Sequence, residues 1–183
     1  MLIFIYNRVM RYLYLILYYL IARNIPTIYI LRDKDPGLVL RNLCAKHIFK
    51  SCGKNIYIGY KAYFGSGTNV ELGDYSAIGL HCHVPNNIKI GKFVMMGPHC
   101  YFLNSNGDHK YQDLNTPMMF QGKKCNVPAT VIGDDVWFGR QCLVLSGKSI
   151  GSHSIVAAGS VVCKNITPKS IWGGNPIKFI KDR

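Results

Sequence analysis

Apolar and small residues recur along this chain with a period of six. From Leu72 to Phe102 an apolar residue stands at every sixth position, and the same spacing returns in phase from Ile132 to Val162. Most of these apolar anchors are followed by glycine, as in Ile78-Gly79. A helix-turn-helix repeat needs about 34 residues, whereas a period of six matches the hexapeptide repeat of a parallel β-helix. The pattern predicts an all-β prism in which three short strands form one coil of about 18 residues.

A second inward position follows each anchor by four residues. Small side chains predominate there, as the interior of a narrow prism requires: Ala62, Thr68, Ser76, Cys82, Val94, Cys100, Val136, Cys142, Ser154 and Ser160. Lys148 breaks the pattern, and a charge is almost never fully buried unless it is paired. We therefore expect the coil to distort at Ser146-Gly147 so that Lys148 points outward.

One long loop, residues 104–128, interrupts the prism. The 30 residues from Phe102 to Ile132 are a whole number of periods, so the repeat resumes in phase after the loop. We expect residues 54–183 to form the β-helix with this loop and a C-terminal tail. Residues 1–53 form a separate N-terminal helical segment.

Residues 1–22 are overwhelmingly apolar, with Asn7, Arg8 and Arg11 as interruptions. The longest uncharged run, 12–22, is shorter than the about 20 residues that a membrane span needs. No small-residue cleavage site of a signal peptide precedes Arg23. A signal peptide, a span, packing against the protein's own body or trimer, and an interfacial helix all stay open. We favour the interfacial helix, with Phe4, Tyr12, Leu15 and Tyr19 toward lipid.

A second helix is predicted from Asp35-Pro36, where a capping residue precedes a proline at the first helical position. Its apolar face, at helical spacing, contains Leu40, Leu43, Cys44, His47 and Ile48, and Arg41 and two lysines lie elsewhere. We expect this helix to cover the open end of the prism, because an uncapped coil exposes strand edges and core. His47 is interpreted as a packing residue.

The net charge of +13 is concentrated near the N-terminus, where residues 1–61 hold ten Lys or Arg residues against Asp33 and Asp35. This favours an anionic partner. No nucleic-acid-binding motif accompanies the charge. A peripheral contact with an anionic membrane surface fits better, because each basic residue near such a surface contributes roughly 1 kcal/mol.

The seven cysteines form no C-x-x-C pair, and three of them occupy small inward positions of the repeat. They are interpreted as reduced core residues, which indicates a reducing compartment. His81 and His99 are 18 residues apart and should stack on one outer face. The histidine spacings do not match the zinc site of γ-carbonic anhydrases, so we expect no metal.

Five motifs carry a resemblance to a known family: Asn106-Gly107-Asp108-His109, residues 116–122, residues 131–139, residues 157–162 and residues 173–178. From Ile58 onward the chain resembles the hexapeptide acyltransferases, which include the maltose, galactoside and xenobiotic acetyltransferases. The resemblance is strongest to O-acetyltransferases of capsule and lipopolysaccharide biosynthesis. It implies a left-handed β-helix, a homotrimer and acetyl transfer from acetyl-CoA in clefts between subunits.

The same resemblance implies that His109 is the catalytic base. An imidazole can take the proton of an attacking hydroxyl, an effect worth about 10² to 10⁴-fold in rate. Asn106, Asp108 and Trp137 are the expected substrate-binding residues, with Trp137 supplied by the neighbouring subunit. Either Asp108 or Asp113 could orient the His109 ring. Backbone N–H groups are expected to stabilise the oxyanion.

For coenzyme A, the resemblance implies that the pantetheine lies along the prism against Gly139-Arg140 and Ala158-Gly159. The nucleotide end is expected near Cys163, Lys164, Lys178 and Lys181, where the lysines offer positive charge to the phosphates. Cys163 departs from the threonine common at that position.

The sequence thus predicts an O-acetyltransferase that modifies a sugar hydroxyl during surface polysaccharide biosynthesis, whether of capsule, lipopolysaccharide or exopolysaccharide. We expect it in the cytoplasm, with peripheral contact at the inner face of the membrane. The alternatives are an acetyltransferase acting on a free sugar, serine or a xenobiotic, and a non-enzymatic hexapeptide scaffold.

Overall fold

The computed structural model describes residues 2–104, 109–123 and 128–183, and its body is a three-sided parallel β-helix. The first face carries β1 (Ser51–Cys52), β3 (Glu71–Leu72), β5 (Ile88–Ile90), β8 (Thr130–Ile132) and β11 (Ser149–Ile150). The second face carries β2 (Tyr57–Ile58), β4 (Ala77–Ile78), β6 (Met95–Met96), β9 (Trp137–Phe138), β12 (Ile155–Val156) and β14 (Ser170–Gly173). The third face carries β7 (Tyr101–Phe102), β10 (Leu143–Val144) and β13 (Val161–Val162). At the C-terminal end, β15 (Lys178–Asp182) pairs antiparallel with β14.

Successive coils stack in parallel register. Glu71 on β3 pairs with Lys89 on β5, which is 18 residues later. Across the long loop, Met95 pairs with Trp137 and Tyr101 pairs with Leu143. The chain therefore leaves the prism after β7 and returns at β8 without disturbing the stack, and the predicted all-β parallel architecture is confirmed.

The repeat positions form the core. Every apolar anchor from Ile58 to Val162 that the repeat identifies is buried, and the small residues four positions later are buried except for the half-buried Thr68. Among the described residues each cysteine is free. Burial raises the pKa of Cys44 and Cys52 to about 11, so both thiols stay protonated near neutral pH. Lys148 is only partly buried, beside Gly147 with its positive φ of 68°.

The N-terminal end of the prism is closed by α1 (Leu2–Leu20), two 3₁₀ turns (Ala22–Asn24 and Tyr29–Lys34) and α2 (Pro36–Ile48). Five side chains from this cap donate hydrogen bonds to carbonyls of the first coil: Tyr18 to Ala62 (2.9 Å), Tyr19 to Gly65 (2.8 Å), Arg23 to Ala62 (3.1 Å), Arg41 to Ile58 (2.8 Å) and Asn42 to Ile56 (2.8 Å). These carbonyls would otherwise be an open sheet edge. Arg41 and Asn42 thus place α2, the helix expected to cover this end, against the first coil.

The structure corrects part of the interpretation of α1. Leu15 and Tyr19, predicted to face lipid, pack against the body of the protein, and Tyr18 beside them is fully buried. For this face of α1, packing against the protein's own body is the correct alternative. Tyr12 points outward, and the side chain of Phe4 lies outside the described part. None of the described helices is long and apolar enough to cross a membrane.

The structure also corrects the predicted face of α2. Asp35 caps the helix as expected, because its carboxylate accepts the backbone N–H groups of Leu38 and Ile28. Arg41, predicted to lie off the apolar face, is fully buried, with Nη2 3.7 Å from Oδ1 of Asp35. Its Nη1 donates to the carbonyl of Ile25 at 2.7 Å. Burial lowers the pKa of Arg41, and the nearby Asp35 acts in the opposite direction.

Replacing Arg41 with methionine should destabilise the protein strongly. Methionine removes the bonds to the first coil and leaves the buried Asp35 carboxylate without its cation, a change that typically costs about 3–5 kcal/mol. Thermal unfolding followed by circular dichroism at one protein concentration measures the loss. Lys46→Met, at an exposed position of the same helix, is the matched control and should change stability by less than about 0.5 kcal/mol. Equal midpoints for Arg41→Met and the parent chain would show that the buried pair is energetically neutral.

Candidate active site

The excursion loop presents His109 at the surface. A short antiparallel bridge joins His109 to Lys123, and the N–H of Lys110 donates to the carbonyl of Gly122 at 3.0 Å. This pairing closes residues 110–122 into a compact loop with His109 at its neck. Asn106 and Asp108, the predicted neighbours of His109, lie outside the described residues.

Gln121 holds the compact loop together. Its Nε2 donates to the carbonyls of Asp113 and Thr116, both at 2.6 Å. The Asp113 carboxylate accepts the N–H of Asn115 at 2.9 Å, and hydrogen bonding, chiefly from the Thr116 side chain, holds its pKa below the usual value. Asp113 therefore serves the turn itself, and Asp108, the other candidate for orienting His109, lies outside the described residues.

The loop tip is apolar and exposed. Leu114 is 94% exposed, and more than half of each side chain of Met118, Met119 and Phe120 is also accessible. Exposed apolar groups of this size in one short segment are typical of a surface that another molecule covers.

Trp137 lies in the outward row of the second face. Its neighbours in register are Met95 on the preceding coil and Ile155 on the following one. Trp137 is 49% exposed and Met95 56%. Within one chain the loop with His109 leaves the prism between the third and first faces, whereas Trp137 occupies the second face.

The residues predicted to contact pantetheine come together on the corner between the second and third faces. The N–H of Gly159 donates to the carbonyl of Arg140 on the preceding coil at 2.9 Å. A Cβ added to Gly139 would lie 2.5 Å from the backbone nitrogen of Ala158, so only glycine permits this close stacking. Gly159 has a φ of 70° and open space around it. The corner thus offers backbone that an extended ligand can approach.

The predicted nucleotide-binding residues lie farther along the same axis. Cys163 follows β13 and packs partly against the core, and the adjacent Lys164 places its Nζ 5.4 Å from the ring centre of Trp172. Lys178 and Lys181 are exposed on β15, where they pair with Gly173 and Ile171 of β14. The order from Gly139 to these lysines therefore follows the prism toward its C-terminal end.

Stacked rings line the other end of this corner. His81 and His99 stack with ring centres 4.8 Å apart, as the 18-residue spacing predicts, and together with Arg140 they border a groove of about 370 Å³. His83 was not predicted as a site residue. It lies between the parallel rings of Tyr63 and Tyr101, at 4.2 and 4.4 Å. The 18-residue spacing of His83 and Tyr101, one full coil, is the signal that could have found it.

The surroundings of His83 disfavour the protonated form of its ring by lowering its pKa. Burial first, and the charge of Arg23 second, lower the pKa of His83. Within the described part of the chain its Nδ1 is buried without a hydrogen-bond partner. Across residues 2–104, 109–123 and 128–183, no group of three or more His, Cys, Asp or Glu side chains is arranged to hold a metal ion.

No protein-family model matches the chain. The galactoside O-acetyltransferase of Escherichia coli strain K12 is 28% identical to it over 144 residues, which are 78% of this chain and 68% of that protein. Other curated acetyltransferases reach 50% identity but match over only 54 residues, so the chain spans 26–30% of their length.

Two solved structures resemble the fold closely. A hexapeptide-repeat containing acetyltransferase from Vibrio cholerae superposes with a TM-score of 0.68 at 26% identity, covering 79% of this chain and 80% of that one. A galactoside acetyltransferase in complex with coenzyme A superposes with a TM-score of 0.70 at 25% identity, covering 84% of this chain and 76% of that one.

Proposed function

We propose that the chain, which is similar to hexapeptide-repeat and galactoside acetyltransferases, transfers an acetyl group from acetyl-CoA to a sugar hydroxyl in surface polysaccharide biosynthesis. The observation that carries the proposal is the stacking of Gly139-Arg140 and Ala158-Gly159 on one corner of the prism, with Lys164, Lys178 and Lys181 beyond them toward its C-terminal end. Exposed backbone followed by positive charge suits a pantetheine arm followed by phosphates. The left-handed winding expected from the resemblance is part of the proposal.

His109 acts as the general base in this reaction. Its imidazole accepts the proton of the acceptor hydroxyl while the oxygen attacks the thioester carbonyl of acetyl-CoA. Backbone N–H groups in the cleft stabilise the oxyanion that forms. Collapse of the tetrahedral intermediate breaks the carbon–sulfur bond, and the proton held by His109 passes to the departing thiolate. The products are the acetyl ester and coenzyme A, and no covalent enzyme intermediate is needed.

The cleft is completed in a homotrimer. The exposed apolar loop tip and the exposed row of Met95 and Trp137 lie on different sides of one chain. A neighbour related by rotation can bring its second face against the loop, which covers both surfaces and places its Trp137 beside His109. Asn106 and Asp108 then contact the acceptor from the loop side.

Lys164, Lys178 and Lys181 bind the phosphates of coenzyme A. Ammonium groups attract phosphate oxygens strongly, and all three side chains are accessible at the C-terminal end of the prism. Cys163, beside Lys164, contacts the nucleotide through its backbone. No metal takes part in the proposed reaction.

The acceptor is a sugar unit built in the cytoplasm, where acetyl-CoA and reduced thiols coexist, and the protein contacts the inner face of the membrane peripherally. The stacked rings of Tyr63, His83 and Tyr101 lie on the third face near the start of the loop, where their edges can contact a sugar ring. A second candidate, acetylation of a free sugar, is favoured by the 28% identity to a galactoside O-acetyltransferase.

Surface glycans of cells with and without the intact chain test the proposal. Loss of the chain should remove acetyl groups, seen as a mass decrease and as the disappearance of NMR signals sensitive to mild base. A chain with His109→Ala should behave like the deletion. Unchanged glycans, together with purified enzyme that acetylates free galactosides, would assign the second candidate function instead.

A further inference from the structure

The outer face of α1 is apolar although it is exposed. Tyr18 marks the buried face, and five residues at helical spacing lie on the opposite side: Val9, Tyr12, Leu13, Ile16 and Leu20. Each is between 51% and 71% exposed. The outer face of a surface helix in a globular protein normally carries charged and polar residues. We call these five residues the outer stripe.

The position of α1 on the prism decides which way the outer stripe points. Tyr18 and Tyr19 are bonded to carbonyls of the first coil, so the inner face of α1 lies on the N-terminal end of the prism. The outer stripe therefore faces away from that end. Neighbours that pack against the sides of the prism, as the proposed trimer requires, leave this direction open.

Other elements of the helical cap extend the apolar surface. The segment between α1 and α2 exposes Ile28, Leu31 and, at 93%, Ile30. On α2, Val39 and Leu43 are about half exposed and share one side of the helix at a spacing of four. A single exposed apolar residue needs no explanation, but a patch contributed by three adjoining elements indicates a binding surface.

The charge around this patch identifies its partner. Residues 1–61 contain ten basic residues and two acidic ones. One of the two, Asp35, is fully buried beside Arg41 and adds no negative charge to the surface. Arg8, Lys34, Lys46 and Lys50 are exposed on the cap, and among the described side chains Lys50 alone of these is in an ion pair, with Glu71 at 2.7 Å. An apolar face rimmed by positive charge complements an anionic bilayer, where the rings and aliphatic groups reach the acyl boundary and the cations meet phosphates.

We propose that the N-terminal end of the molecule docks on an anionic lipid bilayer, with α1 parallel to the surface and the outer stripe inserted below the headgroups. The inference rests on the proposed function in one respect, the trimer, which places three such faces on one end and multiplies the affinity of each. The active-site clefts stay on the sides of the prism and remain open to acceptors near the membrane.

Vesicle flotation tests the docking surface without any acetyl transfer. The purified full chain should float with vesicles of phosphatidylcholine and phosphatidylglycerol, and less with phosphatidylcholine alone. Binding should weaken as salt rises, because the Debye length falls from about 10 Å at 0.1 M to about 3 Å at 1 M. Absence of binding to the anionic vesicles at 0.1 M salt would overturn the proposal.

A pair of matched variants tests the stripe itself. Ile16→Gln with Leu20→Gln should lower vesicle affinity by about tenfold or more, since each loses a side chain that lipid buries. Phe179→Gln with Ile180→Gln, about half-exposed residues at the opposite end of the prism, should leave it unchanged. Sedimentation tests the alternative that a second copy of the protein covers the outer stripe. If the parent chain forms an assembly larger than a trimer, and the stripe variant reduces it to trimers, a second copy of the protein covers the stripe and the lipid proposal is wrong.

Acetyl transfer to a soluble acceptor provides an independent readout. The stripe variant should keep the activity of the parent chain, because none of the changed residues belongs to the proposed cleft. Vesicle binding in a chain that transfers no acetyl group would leave the docking surface standing and remove the proposed function. Acetyl transfer by a chain that does not bind vesicles would leave the proposed function standing and overturn the docking surface.

Discussion

Replacing His109 with alanine is expected to lower the turnover number for acetyl transfer by at least about 10²-fold, the usual effect of losing a general base. The structural cost should be small, because His109 is exposed at the neck of the loop and its pairing with Lys123 uses backbone atoms. The trimer and the affinity for acetyl-CoA should therefore stay as in the parent chain. Release of the coenzyme A thiol, followed with a thiol reagent in the presence of acceptor, measures the turnover.

His153→Ala is a matched control, since His153 is also exposed but lies at the corner between the first and second faces, where its Nδ1 is 3.0 Å from Asp135. This variant should retain nearly full turnover. Turnover of His109→Ala within about twofold of the parent chain would remove His109 from the mechanism, even if the fold and the acetyl-CoA affinity were unchanged.

Mixing two inactive chains is expected to restore activity from almost none. If each cleft takes His109 from one chain and Trp137 from its neighbour, trimers of His109→Ala chains and trimers of Trp137→Ala chains each lack one residue in every cleft. In randomly mixed trimers, about a quarter of the clefts receive both intact residues. Mixed trimers should therefore show up to about a quarter of the parent activity, provided that each variant alone retains less than a few per cent.

The chains must be unfolded and refolded together, or produced in the same cell, so that subunits exchange. Each variant refolded alone is the control, and a double variant carrying both changes, mixed with either single one, should give no recovery. A mixture that is no more active than its parts, although mixed trimers are present, would place both residues in a cleft of one chain. A monomer in sedimentation would exclude the shared cleft altogether.

The sequence alone determined the β-helix, because the limit on the size of inward side chains is local and repeats in every coil. Each coil has room for only a few inward side chains, so apolar anchors at six-residue spacing and small residues four positions later define the same face in every turn. The stacking of His81 on His99 follows from the 18-residue coil in the same way. The position of the loop could be predicted too, since the 30-residue separation of Phe102 and Ile132 preserves the phase of the repeat.

The tertiary structure alone decided how the helical cap uses its polar residues. Helical periodicity places Arg41 off the apolar face of α2, yet Arg41 is buried, because the first coil presents the Ile58 carbonyl to it and Asp35 presents a carboxylate. Tyr18 and Tyr19 turn inward for the same reason, as their hydroxyls reach Ala62 and Gly65. The first-coil partners of these side chains lie 17 to 46 residues away along the chain, so no local sequence pattern reveals them. Both sides of α1 are apolar, so its sequence alone does not decide which side is buried. The hydrogen bonds of Tyr18 and Tyr19 to the first coil decide it, and the opposite side faces outward.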